Sequence, residues 1–518
     1  MTASSGRCPG FRRLCGSFVI LLCLTLMAIF ALLSFTLTAH EGLAGPFEES
    51  IDFYSNGLVD GIAVTCAALA ALCICHAILK RYAGIHLSTA MMTLWALLAV
   101  LWITAIHLNS EIDCWRIIDT AQHFAANDYE PMTWGYTRGA SYQLGMALFL
   151  EIILRLFPGI DIDLFMQVFN VLLSVSTAGV LAALAEELFG RTDARSAVLL
   201  LCAGFLPFFF YNHYVYGTLP MMLLDAAGFL CFVRYLRTRH AGFAAALAIT
   251  VALAYVCKPN ALIALVALCL CALLDVLSTH DKTLLAAVFF AVILSFGLNR
   301  LVVWQYVWRS GVPFEENVSL LTYLVMGISE SEGIPGWYNG HADYFFNMDI
   351  SAAEQKAIVW ADLCKRLPQL LEDPSRTAAF FRTKILSQWL EPTYSVLRYG
   401  FRCDWSGHFN GIAAMAFREG NALNRLLEAY MNVYQQALYL LSCLGLLSAW
   451  KQRSNPAMLI LPLTVLGGFF YHTLFEAKSQ YIYPYVMYLM PFAAQGLCMT
   501  GNWLKRLPAK CQQAIHRA

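Results

Sequence analysis

The sequence predicts an all-α polytopic membrane protein of about 12 (11–13) transmembrane helices, with amphipathic surface helices in its extracytoplasmic loops. Three observations predict it. Of 518 residues, 59% are hydrophobic and only 13% charged, where a soluble domain carries about 25% charged residues. Mean hydropathy is +0.59. Apolar runs of spanning length recur from Phe18 to Leu497 with no polar linker between them. Residues 1–518 therefore read as a single integral membrane domain.

The charge balance limits the partners. Lys+Arg and Asp+Glu each total 34, so no global field draws nucleic acid or steers an anionic soluble ligand. Most of the 17 cysteines fall inside apolar runs, where they act as small hydrophobes. No Cys/His cluster stands at zinc-ligand spacing. The loop cysteines Cys114, Cys364 and Cys403 are available for a disulfide whose pairing the sequence does not give.

Arg7, Arg12 and Arg13 precede the apolar run Phe18 to Leu37, which exceeds a signal-peptide core and reads as an uncleaved span with a cytoplasmic N-terminus. The acidic stretch Glu41, Glu48, Glu49, Asp52 and Asp60 then lies outside. Gly61 to Leu79 returns to the basic turn Lys80-Arg81, and Leu87 to Ile106 goes out again. From the other end, Lys505, Arg506, Lys510 and Arg517 place the C-terminus in the cytoplasm. Ile482 to Leu497, Pro456 to Phe470 and Tyr430 to Trp450 are the last three spans. The turns at Arg191/Arg195 and Arg234 to His240 fall inside, and Tyr211 to Pro220 and Lys258-Pro259-Asn260 outside. The two counts agree only if Ser141 to Phe157 does not cross fully and is instead a short re-entrant or tilted element.

Two outer segments gather the polar and aromatic residues: a first catalytic loop, 109–142, and a large loop, 306–424. Transport needs polar groups at the bilayer midplane. Chemistry stacked on the outer rim favours an enzyme.

The first loop opens with Asn109-Ser110-Glu111-Ile112-Asp113. Carboxylates directly after a span feel a low dielectric that raises their pKa toward general-base range, though interfacial charges also mark helix ends. The spacing of Trp115, Ile118, Ala121, Ala125 and Tyr129 predicts an amphipathic helix on the surface. Glu111-Ile112-Asp113 shares the spacing of a DxD motif without being one, so a divalent metal stays open and no metal ligand is assigned. Arg138 fits a phosphate or a lipid headgroup.

In the second loop, the run from Gly327 to His341 includes Glu330 and Gly336-Trp337-Tyr338-Asn339-Gly340. Flat aromatic faces beside amides and carboxylates suit a sugar ring, and equally a packed surface loop. Arg382, Lys384, Lys258, Arg300 and Lys478 all fall at outer ends of spans, against the positive-inside bias. Headgroups would satisfy them; so would a lipid-linked phosphate.

This layout resembles the GT-C superfamily of membrane glycosyltransferases, and it is most similar to bacterial relatives of the dolichyl-phosphate-mannose:protein mannosyltransferases. The supporting strings are Ser110-Glu111-Ile112-Asp113, Lys258-Pro259-Asn260-Ala261-Leu262-Ile263, Gly336-Trp337-Tyr338-Asn339-Gly340 and Glu476-Ala477-Lys478-Ser479-Gln480-Tyr481. The resemblance implies a GT-C-like fold, a sugar donor on polyprenyl phosphate, an essential acid in the first outer loop and inverting transfer. Asp113 matches that acid best. Two spans separate the first span from the acidic loop, a departure that keeps Glu111 as a competitor.

The expected partners are a polyprenyl-phosphate sugar donor, membrane lipids and a glycan, lipid or protein acceptor, with no nucleic acid. Lys258, Arg300, Arg382, Lys384, Lys478 and Arg138 are expected at the donor phosphate. Glu330, Trp337, Tyr338, Asn339 and Glu476 are expected at the sugar or acceptor. A lipid-linked glycan flippase, or an O-antigen-polymerase-like enzyme, is the alternative.

Overall fold

A computed structural model describes residues 9–43, 49–82, 85–314, 318–331, 334–346, 350–404, 409 and 411–515. Arg7, Glu48, Glu332 and Arg517 lie outside these, as do the side chains of Glu49, Lys505, Arg506 and Lys510.

The chain opens with α1 (Pro9–Ser34), a hairpin of β1 (Leu37–Leu43) and β2 (Glu49–Ser55), then α2 (Leu58–Arg81) and α3 (Ile85–Ile106). The hairpin replaces the acidic loop expected between the first two spans. β2 alternates, with Ile51 and Phe53 half-buried while Asp52 and Tyr54 face out, and β1 is buried on both faces at Thr38, Ala39, Glu41 and Gly42. The Ala39 N–H donates to the Leu390 carbonyl at 3.0 Å. His40 lies 2.5 Å from Glu428 and 3.2 Å from Glu419. The bond to Glu428 pushes its pKa up to about 9.

The first polar segment holds α4 (Ile112–Ala125) and α5 (Gly135–Gly139), followed by α6 (Leu144–Leu156). The surface helix thus starts three residues before the expected Trp115 and ends four before Tyr129. Its face is rotated too: Cys114, Ile117, Ile118, Ala121 and Phe124 are buried, and Trp115 is 53% exposed. At 13 residues α6 extends about 20 Å, short of the ~30 Å hydrocarbon core, as the charge count required. Its buried Glu151 accepts from Arg155 at 2.7 Å and Tyr306 at 2.8 Å, and it pairs with Arg309.

The body continues through α7 (Ile162–Phe189), α8 (Thr192–Gly204), the short α9 (Leu206–Phe210), α10 (Thr218–Thr238), α11 (Ala241–Cys257), α12 (Ala261–Thr279) and α13 (Thr283–Ser310). The large polar segment is then 311–421 rather than 306–424, because Tyr306 belongs to α13 and Asn424 to a later helix. It is mostly helical: α14 (Leu320–Gly327), a strand pair β3 (Glu330–Ser331) and β4 (Ile334–Pro335), α15 (His341–Phe346), α16 (Ala352–Glu372), α17 (Pro374–Trp389), α18 (Val396–Arg402) and α19 (Gly411–Phe417). The chain ends with α20 (Ala422–Ala449), α21 (Ile460–Leu474) and α22 (Tyr483–Ile515). Gly445 and Gly496 let α20 and α22 touch backbone to backbone: a Cβ on either would sit 1.9 or 2.0 Å from a carbonyl oxygen of the other helix.

Among the described residues, seven helices are long and apolar enough to cross a membrane, eight if the α8–α9 pair, bent by 70°, is one span. The sequence count was about twelve. The difference lies in α11 and α21, 17 and 15 residues long, and in α20 and α22, which are long but outside this set. Polar groups inside α20 such as Gln435 and Gln436 are buried and hydrogen-bonded rather than lipid-facing.

The helix ends sort into two poles. At one, Lys80 and Arg191 both hold Asp193, at 2.8 and 2.7 Å, Arg195 reaches Glu186 at 3.1 Å, and Arg239 reaches Asp275 at 2.5 Å. These are the turns expected inside. The segments expected outside meet at the other pole, around the cavity described below. Single-cysteine labelling from outside the cell is therefore expected to reach 109–142 and 311–421 and to miss 234–240. The reverse pattern would invert the orientation.

Candidate active site

A cavity of about 910 Å³ opens between the polar segments. Residues distant in sequence line it, from the starts of α4 and α18, the turns around Tyr211–Tyr216 and Lys258, the segment around Trp337–Gly340 and the turn Glu476–Tyr481.

Asp113 enters on the first turn of α4, where the helix N-terminus favours a negative charge. The backbone leading to it is strained. Ile112 has φ +52° and His107 φ +50°. A β-branched residue in the left-handed region is uncommon and costs roughly 1–3 kcal/mol, a strain that clusters at functional sites. Glu111 lines the cavity as the helix N-cap. Burial raises its carboxyl pKa, against the pull of Arg402. Arg116 lies three residues beyond Asp113 on the same face of α4, its guanidinium 5.0 Å from the Tyr136 ring.

Facing them is Lys258, buried in the turn after α11. Its Nζ donates to Thr218 at 2.7 Å and sits 4.6 Å from the Tyr216 ring and 5.5 Å from that of Tyr481. Burial pulls its pKa down to about 8, while Asp113 and Glu476 oppose that pull. A buried cation is thus held among tyrosine faces within electrostatic reach of two carboxylates.

One face of α17 supports the remaining wall. Lys384, Ser387 and Gln388, spaced i, i+3 and i+4, are fully buried. The Lys384 Nζ donates to the carbonyls of Gly327 at 2.6 Å and Phe475 at 2.8 Å. Ser387 accepts from the Trp337 indole at 3.2 Å, and Gln388 donates to Ala477 at 3.3 Å. Gly336, at φ +73°, leaves room for Lys384, since a Cβ there would lie 2.5 Å from its side chain. So Lys384 is a strut that ties Gly327 to Phe475, not a group of the cavity lining. What it holds in place is Trp337, buried, with the Lys478 ammonium 5.5 Å from its ring.

Of the other expected residues, Tyr338, Asn339, Glu330, Glu476 and Lys478 line the cavity. Glu330 also pairs with Arg376 at 2.9 Å, and the Glu476 N–H donates to the Tyr323 carbonyl at 2.8 Å. Arg138 on α5, Arg300 on α13 and Arg382 on α17 do not line it. Arg138 does sit in the last turn of α5, but Arg300 and Arg382, expected at outer ends of spans, fall in the middle of α13 and α17.

The cavity also holds residues that the sequence reading passed over. Glu41 reaches it from β1 and pairs with buried Arg398 at 3.2 Å, and Ser395 donates to the same carboxylate. Arg402 and the tyrosines 136, 142, 211, 214, 216, 323, 399 and 481 complete the wall. The aromatic run Tyr211-Asn212-His213-Tyr214-Val215-Tyr216 was a visible signal for some of these. Nothing local marked Glu41, which depends on the hairpin.

Chemically, the cavity offers a half-buried carboxylate, several fixed cations and aromatic faces. Among the described residues, no third His, Cys, Asp or Glu joins Glu111 and Asp113 at metal-ligand range. The one such trio, His76, Asp193 and Cys498, lies at the opposite pole, where Lys80 and Arg191 already neutralise Asp193. The described cysteines Cys114, Cys364 and Cys403 are unbridged thiols.

No protein-family model matches the chain, and no curated protein matches it. Among solved structures it is similar to the archaeal oligosaccharyltransferase AglB from Archaeoglobus fulgidus, determined in complex with an inhibitory peptide and a dolichol-phosphate. The identity is 15% and the TM-score 0.43, over 84% of this chain and 52% of that one. The chain spans about half the length of that protein, which is an oligosaccharyltransferase rather than a protein mannosyltransferase.

Proposed function

We propose that the protein is a membrane glycosyltransferase. It moves a sugar from a polyprenyl-phosphate donor to a hydroxyl of a glycan, lipid or protein acceptor at the outer face of the cell membrane. The observation that carries this reading is the pairing, in one aromatic-lined cavity, of Asp113 at a helix start with the buried cation Lys258.

In this reading Asp113 takes the proton of the acceptor hydroxyl as the oxygen attacks the sugar C1. The C1–O bond to phosphate breaks on the opposite face, inverting the anomeric centre. The electron pair leaves with the polyprenyl phosphate, whose growing charge is met by Lys258, Arg116 and Lys478. Trp337, Tyr338 and Asn339 offer the ring faces and amide that a sugar uses, with Glu330 and Glu476 beside them.

The distribution of charge favours this over a flippase. In the seven spans, Asp225, bonded to Tyr488 at 2.9 Å, and Arg300 lie well inside, while the other charged side chains sit in the end turns. A panel of polyprenyl-phosphate sugars presented to purified protein tests the proposal. Transfer, or slow donor hydrolysis with an inverted product, is expected for at least one donor. No turnover of any donor would remove the reading.

A further inference from the structure

The segment that delivers Asp113 is held by a continuous buried relay outside the cavity. The Trp102 Nε1–H at the end of α3 donates to His213 Nε2 at 2.9 Å. His213 Nδ1 lies 2.7 Å from Gln167 Oε1. Indole N–H is only a donor and an amide oxygen only an acceptor, so His213 is the neutral tautomer with its proton on Nδ1. Gln167 Nε2 then donates to Asp163 Oδ1 at 2.9 Å and to the Leu108 carbonyl at 2.7 Å. Asp163 accepts from the Ser110 N–H at 2.5 Å and the Ser110 hydroxyl at 2.8 Å.

Every donor in this chain meets an acceptor, and Ser110, Gln167 and His213 are buried. The two clamped residues, Leu108 and Ser110, lie between the two left-handed residues His107 and Ile112. Neither of those is glycine, so each would relax toward negative φ if released, and Asp113 follows Ile112 directly. Asp163 and Gln167, one helical turn apart on α7, are the rigid base of the clamp.

We propose that Asp163, through this relay, is the positioning residue of Asp113: it holds the 107–112 segment in its strained path so that the carboxylate points into the cavity. The inference rests on the reading of Asp113 as the base. Asp163 itself does not line the cavity and touches no substrate.

Asp163→Asn keeps the shape but places a second donor against Ser110. It is expected to lower kcat by about 10- to 10²-fold, the scale of a small misplacement, with KM for donor changed little. Amide exchange over 108–113 is expected to rise about tenfold while the spans keep their protection. Adding Ile112→Gly should recover most of the lost kcat, because glycine takes the left-handed conformation without a clamp. Rescue is read on kcat per folded molecule at matched thermal stability, because a merely structural loss would lower the folded fraction and leave kcat of the folded protein unchanged. Trp102→Phe, at the far end of the relay, should loosen the same segment to a smaller degree. Unchanged exchange over 108–113 in Asp163→Asn, or a kcat loss that Ile112→Gly deepens, would overturn the inference. If wild-type protein transfers no sugar, the proposed function falls, and the exchange measurement alone decides the relay.

Discussion

Asp113→Asn is expected to insert, fold and bind donor lipid, and to lose sugar transfer by at least the ~10²-fold typical of a general base. The substitution preserves shape while removing the ability to take a proton, together with the negative charge that supports the Lys258 cation. Asp113 stands in the first turn of α4, where the helix terminus favours the ionised form. Glu111 precedes the helix as its N-cap, separated from Asp113 by the strained Ile112, and residues two apart do not share a helical face. Glu111→Gln should therefore lose much less. Steady-state transfer rates with matched expression check this. Loss confined to the Glu111 variant would reverse the assignment, and normal rates in both would remove this loop from the mechanism.

Lys258→Met is expected to raise the barrier by about 2–4 kcal/mol, the scale of removing one donor from a developing oxyanion. The lysine is buried, so no solvent shell replaces its charge. Its pKa of about 8 gives a second expectation with a definite sign. The cation exists below that value and is lost above it. Transfer should fall as pH rises through about 8, and Lys258→Arg should move the fall to higher pH. A rate that is flat from pH 7 to 9 in wild-type protein, or Lys258→Met at full rate, would place the leaving phosphate elsewhere. Lys384→Met should act differently: it removes a strut between two backbone carbonyls, so disorder around Trp337 should accompany any loss.

The sequence made the meeting of 109–116, 258–260, 336–340 and 476–481 legible, because chain direction and basic turns assign each to the same pole. Depth and side-chain direction were not legible. Lys258 and Lys384 look alike in sequence, each a cation at an apolar boundary. One faces the cavity, and the other points into the packing of α17. Arg116 differs: its spacing from Asp113 was readable and went unused. Glu41 was unreadable, since its place depends on a strand pairing that carries a buried carboxylate to Arg398 across more than 350 residues of chain. The count of about twelve spans exceeds the seven or eight helices that qualify by length and composition for a related reason. Helices such as α20 bury glutamines against neighbours, so their composition reflects protein contacts as much as lipid.

The central claim, that the chain breaks a sugar–phosphate bond rather than moving an intact lipid, is tested most directly with a donor labelled in both its sugar and its polyprenyl phosphate. Purified protein is reconstituted in vesicles, and the fate of the two labels is followed together. The account predicts that the labels separate in equal amounts, at a rate that collapses in Asp113→Asn. Labels that cross the bilayer together, with the bond intact and no dependence on Asp113, would contradict it.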